Sequence, residues 1–306
     1  MNTFSLVIAT IKRRKELEEL LESITKINSK SLLEVIIIDQ NENGFLLEII
    51  KKYKEKLPIK YTNVNFKESS KARNYGAKIA KGSIIGFPDD DCEILQHTLN
   101  KVNEIFENNK DVIAVFGRVQ DKKENKDIIN YLKRSTNINY FNLYKAAIEC
   151  SFFIKREEFI KIGGFDENLG PGNYYAFDEG ADIFFRLLYK NNVMKYIKDT
   201  LFYHPSKKDE LNFNKLYNQG LGQAGLAKKH LKKYKRFIPY FLFMLKNLKA
   251  FILFFKGKLT NDKVLEHRNR IILVGRRDGL RSKIEIWKLH LFMIGLHHLV
   301  EQKEFY

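Results

Sequence analysis

The sequence predicts an α/β protein, an open sheet with helices on both faces, followed by a basic helical extension. Three observations lead there. Short apolar runs at Phe4–Ala9, Val35–Ile38 and Ile84–Phe87 alternate with stretches of helical periodicity over the first two thirds of the chain. Polar residues follow directly on the carboxyl ends of those runs. Composition then shifts: residues 228–288 hold 18 Lys and Arg against 4 Asp and Glu, and so carry +14 of the net +17.

The elements follow in order. After the run Phe4–Ala9, the residues Leu17, Leu20, Leu21, Ile24 and Ile27 line one face of a helix. Val35–Asp39 is wholly apolar up to its last residue, as in a parallel strand covered on both faces. The polar loop Gln40–Gly44 leads to a helix through Leu46, Leu47, Ile50 and Tyr53, and Pro58 starts the return to a strand near Tyr61–Phe66. Ser69 or Ser70 caps the next helix, which carries Lys71, Arg73 and Asn74 in its first turn and runs towards Gly82. The strand Ile84–Phe87 then enters Asp89-Asp90-Asp91. A helix through Leu95, Leu99, Val102, Ile105 and Phe106 precedes a strand at Val112–Val115 and a charged loop at Asp121–Lys126. Ile148–Ile154 reads as a strand, Arg156–Ile162 as a short helix, and Gly163-Gly164 as a turn that a Cβ would resist. A helix from Glu179 through Leu188 and a strand at Met194–Tyr203 deliver His204 before Pro205.

Open α/β sheets bind ligands outside the carboxyl ends of their strands. That rule gathers Thr10, Asp39 and Asp89–Asp91 into one crevice. Three adjacent carboxylates repel unless a cation sits among them, and an all-oxygen set suits Mg²⁺ or Mn²⁺ shared with phosphates. Glu179, Asp182 and Arg186 fall at i, i+3 and i+7, on one helix face. Asp182 and Arg186 are expected to form an ion pair. Cys92 and Cys150 lack metal-ligand spacing and are expected to be small buried hydrophobes. The first residues enter a strand pattern with no charged-then-apolar leader, so a cytoplasmic location is expected.

Taken together, the motifs resemble the GT-A fold glycosyltransferases of family 2, inverting enzymes that use nucleotide sugars. The residues that carry the resemblance are Ser5–Thr10, Val35–Asp39, Lys71–Ala77, Phe87–Asp91, Gly163–Glu167 and Glu179–Arg186, in the family's order over residues 1–205. It implies a Rossmann-like open mixed sheet in a domain 1–205, a nucleotide-sugar donor, a glycan or lipid-linked acceptor, and Mn²⁺ or Mg²⁺ as cofactor. By position it puts Thr10 and Asp39 at the nucleoside and Lys71 and Arg73 along the nucleotide. Asp89 and Asp91 match the outer members of the family's DxD motif, with Asp90 between them on the substrate side. His204 matches a histidine that in some relatives approaches the metal. One position departs. Where the family places an Asp as general base, this chain has Gly180, so the base passes to Glu179 or Asp182. The ion pair would lower the pKa of Asp182, which favours Glu179.

Residues 206–306 form the extension. Phe237–Phe255 is densely apolar but holds Lys246 and Lys249. A charge at mid-bilayer costs at least ~2.5–3.5 kcal/mol, so a spanning helix is disfavoured against one lying on an anionic membrane surface. Packing onto the catalytic domain or into a homo-oligomer is the plainer expectation against it. The net charge also raises nucleic acid as a partner, but no nucleic-acid module is present and the charge avoids the sheet, so none is expected. A nucleotidyltransferase lacks its Gly-rich loop here. A catalytically impaired sugar-nucleotide-binding relative is the alternative that Gly180 raises.

Overall fold

Residues 2–206 and 212–283 are described in a computed structural model. In chain order the elements are β1 (Phe4–Thr10), α1 (Arg14–Thr25), β2 (Leu32–Asp39), α2 (Leu47–Lys54), β3 (Ile59–Asn63), α3 (Ser69–Ile79), β4 (Ile84–Gly86) and β5 (Glu93–Ile94). There follow α4 (Thr98–Asn108), β6 (Val112–Asp121), β7 (Lys126–Asp127), β8 (Thr136–Asn137), β9 (Phe152–Lys155), α5 (Arg156–Lys161), α6 (Glu179–Tyr189) and β10 (Val193–Tyr203). Helices α7 (Phe213–Lys232), α8 (Ile238–Leu259) and α9 (Lys263–Arg281) are the last elements among the described residues.

The strands form one mixed sheet in the order β3-β2-β1-β4-β9-β6-β10-β5, with β7 on β6 and β8 on β10. Strands β3, β2, β1 and β4 are mutually parallel, and β9 enters antiparallel between β4 and β6. The register aligns the strand ends. Thr10 stands opposite Asp39, and Asp39 opposite Asn63. β4 stops at Gly86 opposite Leu6, so the chain beyond it reaches the same edge as Thr10.

A cluster of phenylalanines fixes that edge from below. Phe87, immediately before the acidic trio, packs on Phe159 at 4.9 Å and edge-on to Phe165 at 5.2 Å. Phe116 continues the cluster against Phe152 and Phe184 at 5.1 and 4.8 Å. Each such pair adds about 0.5–1.5 kcal/mol beyond its buried area, so the loop leaves from a rigid base.

Three local expectations need correcting. Residues 148–154 are not one strand: Glu149–Ser151 is a 3₁₀ turn, and pairing with β4 and β6 begins only at Phe152. The third strand is Ile59–Asn63, because its partner β2 ends at Asp39. Neither Ser69 nor Ser70 caps α3; both lie inside its first turn, Glu68 holds the cap position, and the helix ends at Ile79. The glycine turn is as expected, with φ of +83° at Gly163 and +64° at Gly164.

The chain divides into two compact units. One comprises Met1–Asp166 and Gly180–Lys208, the other Glu167–Glu179 and Asp209–Tyr306. The second unit thus includes a segment that precedes α6 in sequence. Within it, Arg276 of α9 is buried and donates to Gln223 of α7 at 2.7 and 2.9 Å and to the Lys246 carbonyl of α8 at 2.8 Å. One guanidinium therefore ties three helices. The far end of the basic segment, to Lys288, lies outside the described residues.

Candidate active site

The acidic trio is held by basic side chains from three separate elements. Arg13, at the start of α1, places Nη1 2.7 Å from Asp90 and 2.6 Å from Asp91. Arg73 of α3 reaches Asp89 at 2.6 Å. His204, one residue past β10, sets Nε2 3.3 Å from Asp91. Burial pushes the Asp90 carboxyl up to about 6, against the pull of the Arg13 guanidinium. At His204 burial pulls the imidazole down, but Asp91 outweighs it and the group titrates above an ordinary histidine. Its Nδ1–H donates to the Pro205 carbonyl at 2.9 Å, which turns Nε2 towards the carboxylates.

Donor atoms of Asp89, Asp91, Cys92 and His204 lie within 4.8 Å of one another. Two carboxylates and an oriented imidazole form a fitting set for Mn²⁺ or Mg²⁺. Cys92 fits it poorly. Burial holds its thiol well above the ordinary range, and it meets the Cys150 thiol in the core, the small-hydrophobe role expected for both.

Asp39 is fully buried at the end of β2. Its carboxylate accepts from the Tyr61 hydroxyl at 2.7 Å and from the Asn41 backbone and side-chain nitrogens at 2.9 and 2.6 Å. The Asp39 carboxylate thereby fixes the loop after β2 and raises the Tyr61 pKa, an effect to which burial contributes most. Thr10 is buried opposite it. Lys71 lies over the Phe66 ring at 4.5 Å, while its neighbour Arg73 is committed to Asp89. The structure thus brings Thr10, Asp89, Asp90, Asp91, Arg73 and His204 to one edge of the sheet.

At the start of α6 the two candidate carboxylates differ. Asp182 is fully buried and accepts from Arg186 Nε at 2.8 Å. Arg186 also donates to the carbonyls of Ile162 and Gly164 at 2.8 and 2.6 Å, so the expected pair clamps the glycine turn. Glu179 is buried, its carboxylate packed against Gly170, where a Cβ would come within 2.8 Å of the carboxyl carbon. Gly180 has a neighbour from outside the helix. A Cβ there would stand 2.0 Å from Oε1 of Glu149.

Residues 5–165, just over half of the chain, match the family described as glycosyl transferase family 2. The chain belongs to that family. It shares 32% identity over 119 residues with the poly(ribitol-phosphate) beta-N-acetylglucosaminyltransferase TarS of Staphylococcus aureus, a stretch covering 38% of this chain and 21% of TarS. It shares 30% over 181 residues with an uncharacterised glycosyltransferase of Methanocaldococcus jannaschii, covering 56% of this chain and 62% of that protein. The chain therefore spans about a fifth of the one relative and under two thirds of the other. The fold matches crystal structures of S. aureus TarS. One superposes with a TM-score of 0.60 at 19% identity over 75% of this chain and 40% of that chain. TarS 1-349 in complex with UDP-GlcNAc gives 0.57 at 14%, over 92% of this chain and 91% of that chain. This is the GT-A fold expected from the motifs.

Sequence reasoning missed two residues of the site. Arg13 stood out only as one of several basic residues after β1, and nothing local marks it as the partner of carboxylates 77 positions away. Glu149 was hidden in a stretch read as a strand; its one signal is a charge inside an apolar run.

Proposed function

We propose that the chain moves a sugar from a nucleoside-diphosphate sugar to a hydroxyl of a glycan or lipid-linked acceptor, with inversion at the anomeric carbon. The observation that carries this is the convergence of Asp89, Asp91 and His204 at the strand ends where Thr10 and Asp39 also terminate. The complexes of TarS with UDP and UDP-GlcNAc support the donor class. Asp89, Asp91 and His204 would hold Mn²⁺ or Mg²⁺, which when bound neutralises the diphosphate as it leaves. Arg13 and Arg73 add fixed positive charge on the same side of the carboxylates. Thr10 and the Asp39–Tyr61–Asn41 group face the nucleoside, and Lys71 the phosphates. A carboxylate near the N-terminus of α6 takes the proton from the attacking hydroxyl, as the oxygen bonds to the anomeric carbon and the bond to the diphosphate breaks. By sequence order Glu179 is the first candidate for that role, while Asp182, closed in with Arg186, is structural.

The chain works as a peripheral protein at the cytoplasmic face of an anionic membrane. Helix α8 is long and apolar enough to cross a membrane, and 17% of its most apolar window is buried. Phe237, Phe241, Met244, Leu248, Ile252 and Phe255 recur along an exposed stripe, with exposed Lys256 and Lys258 in the last turn. Burial pulls the Lys246 ammonium down to about 8, and its backbone carbonyl accepts from Arg276 on the packed side. An apolar stripe with cations beside it suits the interface of anionic lipid.

The test is release of nucleoside diphosphate from UDP-, GDP- and dTDP-sugars with Mn²⁺ or with EDTA. One donor should be consumed and EDTA should abolish its consumption. Equal rates in EDTA would remove the metal, and no turnover or binding of any donor would remove the reaction.

A further inference from the structure

We propose that Glu149 is the general base, its carboxylate occupying the space that a side chain at Gly180 would fill. This rests on the transfer reaction above and names the group that accepts its proton. The required group is a carboxylate near the trio that still meets solvent. Asp89, Asp90 and Asp91 are committed to Arg13, Arg73 and His204. Asp182 is closed off with Arg186, and Glu179, the first candidate by sequence order, is buried with its carboxylate against Gly170. Glu149 is half-buried and sits in the 3₁₀ turn that interrupts the apolar run before β9.

Two independent contacts place it. The turn Glu149–Ser151 runs straight into Phe152, whose carbonyl accepts from the Phe87 backbone N–H at 3.2 Å and whose ring stacks on Phe87 at 5.7 Å, so the turn is anchored two residues before the acidic trio. The second contact is at α6. A Cβ on Gly180 would come within 2.0 Å of Glu149 Oε1 and 2.3 Å of Cδ and Cγ. Any side chain at 180 would displace Glu149, and only glycine admits it. The missing side chain and the intruding carboxylate are two halves of one arrangement. Gly180 is the second residue of an 11-residue helix, whose N-terminal dipole favours the ionised carboxylate that a base must be.

In the step, the acceptor oxygen gives its proton to a Glu149 carboxylate oxygen and bonds to the anomeric carbon. The bond from that carbon to the diphosphate oxygen breaks, and its electron pair leaves with the nucleoside diphosphate. Water serves as the acceptor when no other is supplied, so slow hydrolysis of the nucleotide sugar reports the same group.

The experiment compares the full chain with Glu149→Gln, Glu149→Ala, Glu179→Gln, Gly180→Ala and the pair Glu149→Ala with Gly180→Asp. Binding is read as thermal stabilisation by UDP-GlcNAc, GDP-mannose or dTDP-glucose with Mn²⁺, and turnover as release of nucleoside diphosphate. Glu149→Gln should keep the stabilisation and lose about 10²–10⁴-fold in turnover. Gly180→Ala, a better helix former, should fold and bind but lose turnover because its methyl group expels Glu149. The pair should recover turnover over Glu149→Ala alone, since Gly180→Asp returns a carboxylate to the vacated space. Glu149→Gln at wild-type turnover, or Glu179→Gln losing turnover while Glu149→Gln keeps it, overturns the assignment and leaves the transfer reaction standing. No stabilisation of the wild-type chain by any of the three donors overturns both.

Discussion

Asp89, Asp90 and Asp91 coexist because Arg73 pairs with Asp89 while Arg13 bridges Asp90 and Asp91, and removing one guanidinium unbalances the rest. Arg13→Gln leaves Asp90 and Asp91 without their guanidinium, in a place where burial already holds Asp90 up at about 6. A stability loss of about 1–3 kcal/mol is expected, measured by urea unfolding. Asp182→Asn should cost more, on the order of 3 kcal/mol, because the Arg186 charge stays buried. Its turnover, read on the folded fraction, should fall far less than its stability. Glu34 gives the pH dependence. It is buried in β2, which pushes its carboxyl up. Lys60, the Ser5 hydroxyl at 2.6 Å and the Lys81 backbone N–H outweigh that burial and hold it below the ordinary range. The stability it confers is therefore complete above the unfolded value of about 4.3 and is lost as the pH falls through the lower folded value. Glu34→Gln should flatten the acid limb of the stability curve; an unchanged limb would assign the acid sensitivity elsewhere.

At the scale of elements, the parallel strands were legible because strands covered on both faces are continuous apolar runs, as in Val35–Ile38. Their carboxyl ends followed, and with them Thr10, Asp39 and the trio. The Asp182–Arg186 pair was legible because a helix brings i and i+4 together. Residues 148–154 were misread because composition alone does not distinguish a strand from an apolar 3₁₀ turn; Glu149 was the only sign of the turn. Helix α8 carries its own prediction. The chain should bind vesicles containing phosphatidylserine, and raising the salt should weaken binding as charges are screened over ~8–10 Å. Replacing Lys256 and Lys258 with Gln removes about 2 kcal/mol of attraction, roughly thirtyfold in affinity. Binding indifferent to lipid charge and salt rules out the electrostatic contact. A concentration-dependent dimer broken by Phe241→Glu would assign the stripe to a second copy of the chain.

For the whole molecule, the unit that holds the acidic trio and the unit built on α7, α8 and α9 divide the chemistry from the basic charge. The motif order of the first unit sufficed to place it in its family. The proposed base could not be found that way, because Gly180 records only a missing group and the carboxylate beside it comes from a distant turn. The central claim is metal-dependent nucleotide-sugar binding at Asp91. It is tested most directly by thermal unfolding of the wild-type chain and Asp91→Ala with UDP-, GDP- and dTDP-sugars, in Mn²⁺ and in EDTA. The wild-type chain should gain stability from one donor in Mn²⁺ only, about 2.7 kcal/mol at a hundredfold excess over the dissociation constant, and Asp91→Ala should fold but gain none. Equal stabilisation in EDTA, or in Asp91→Ala, would contradict the account.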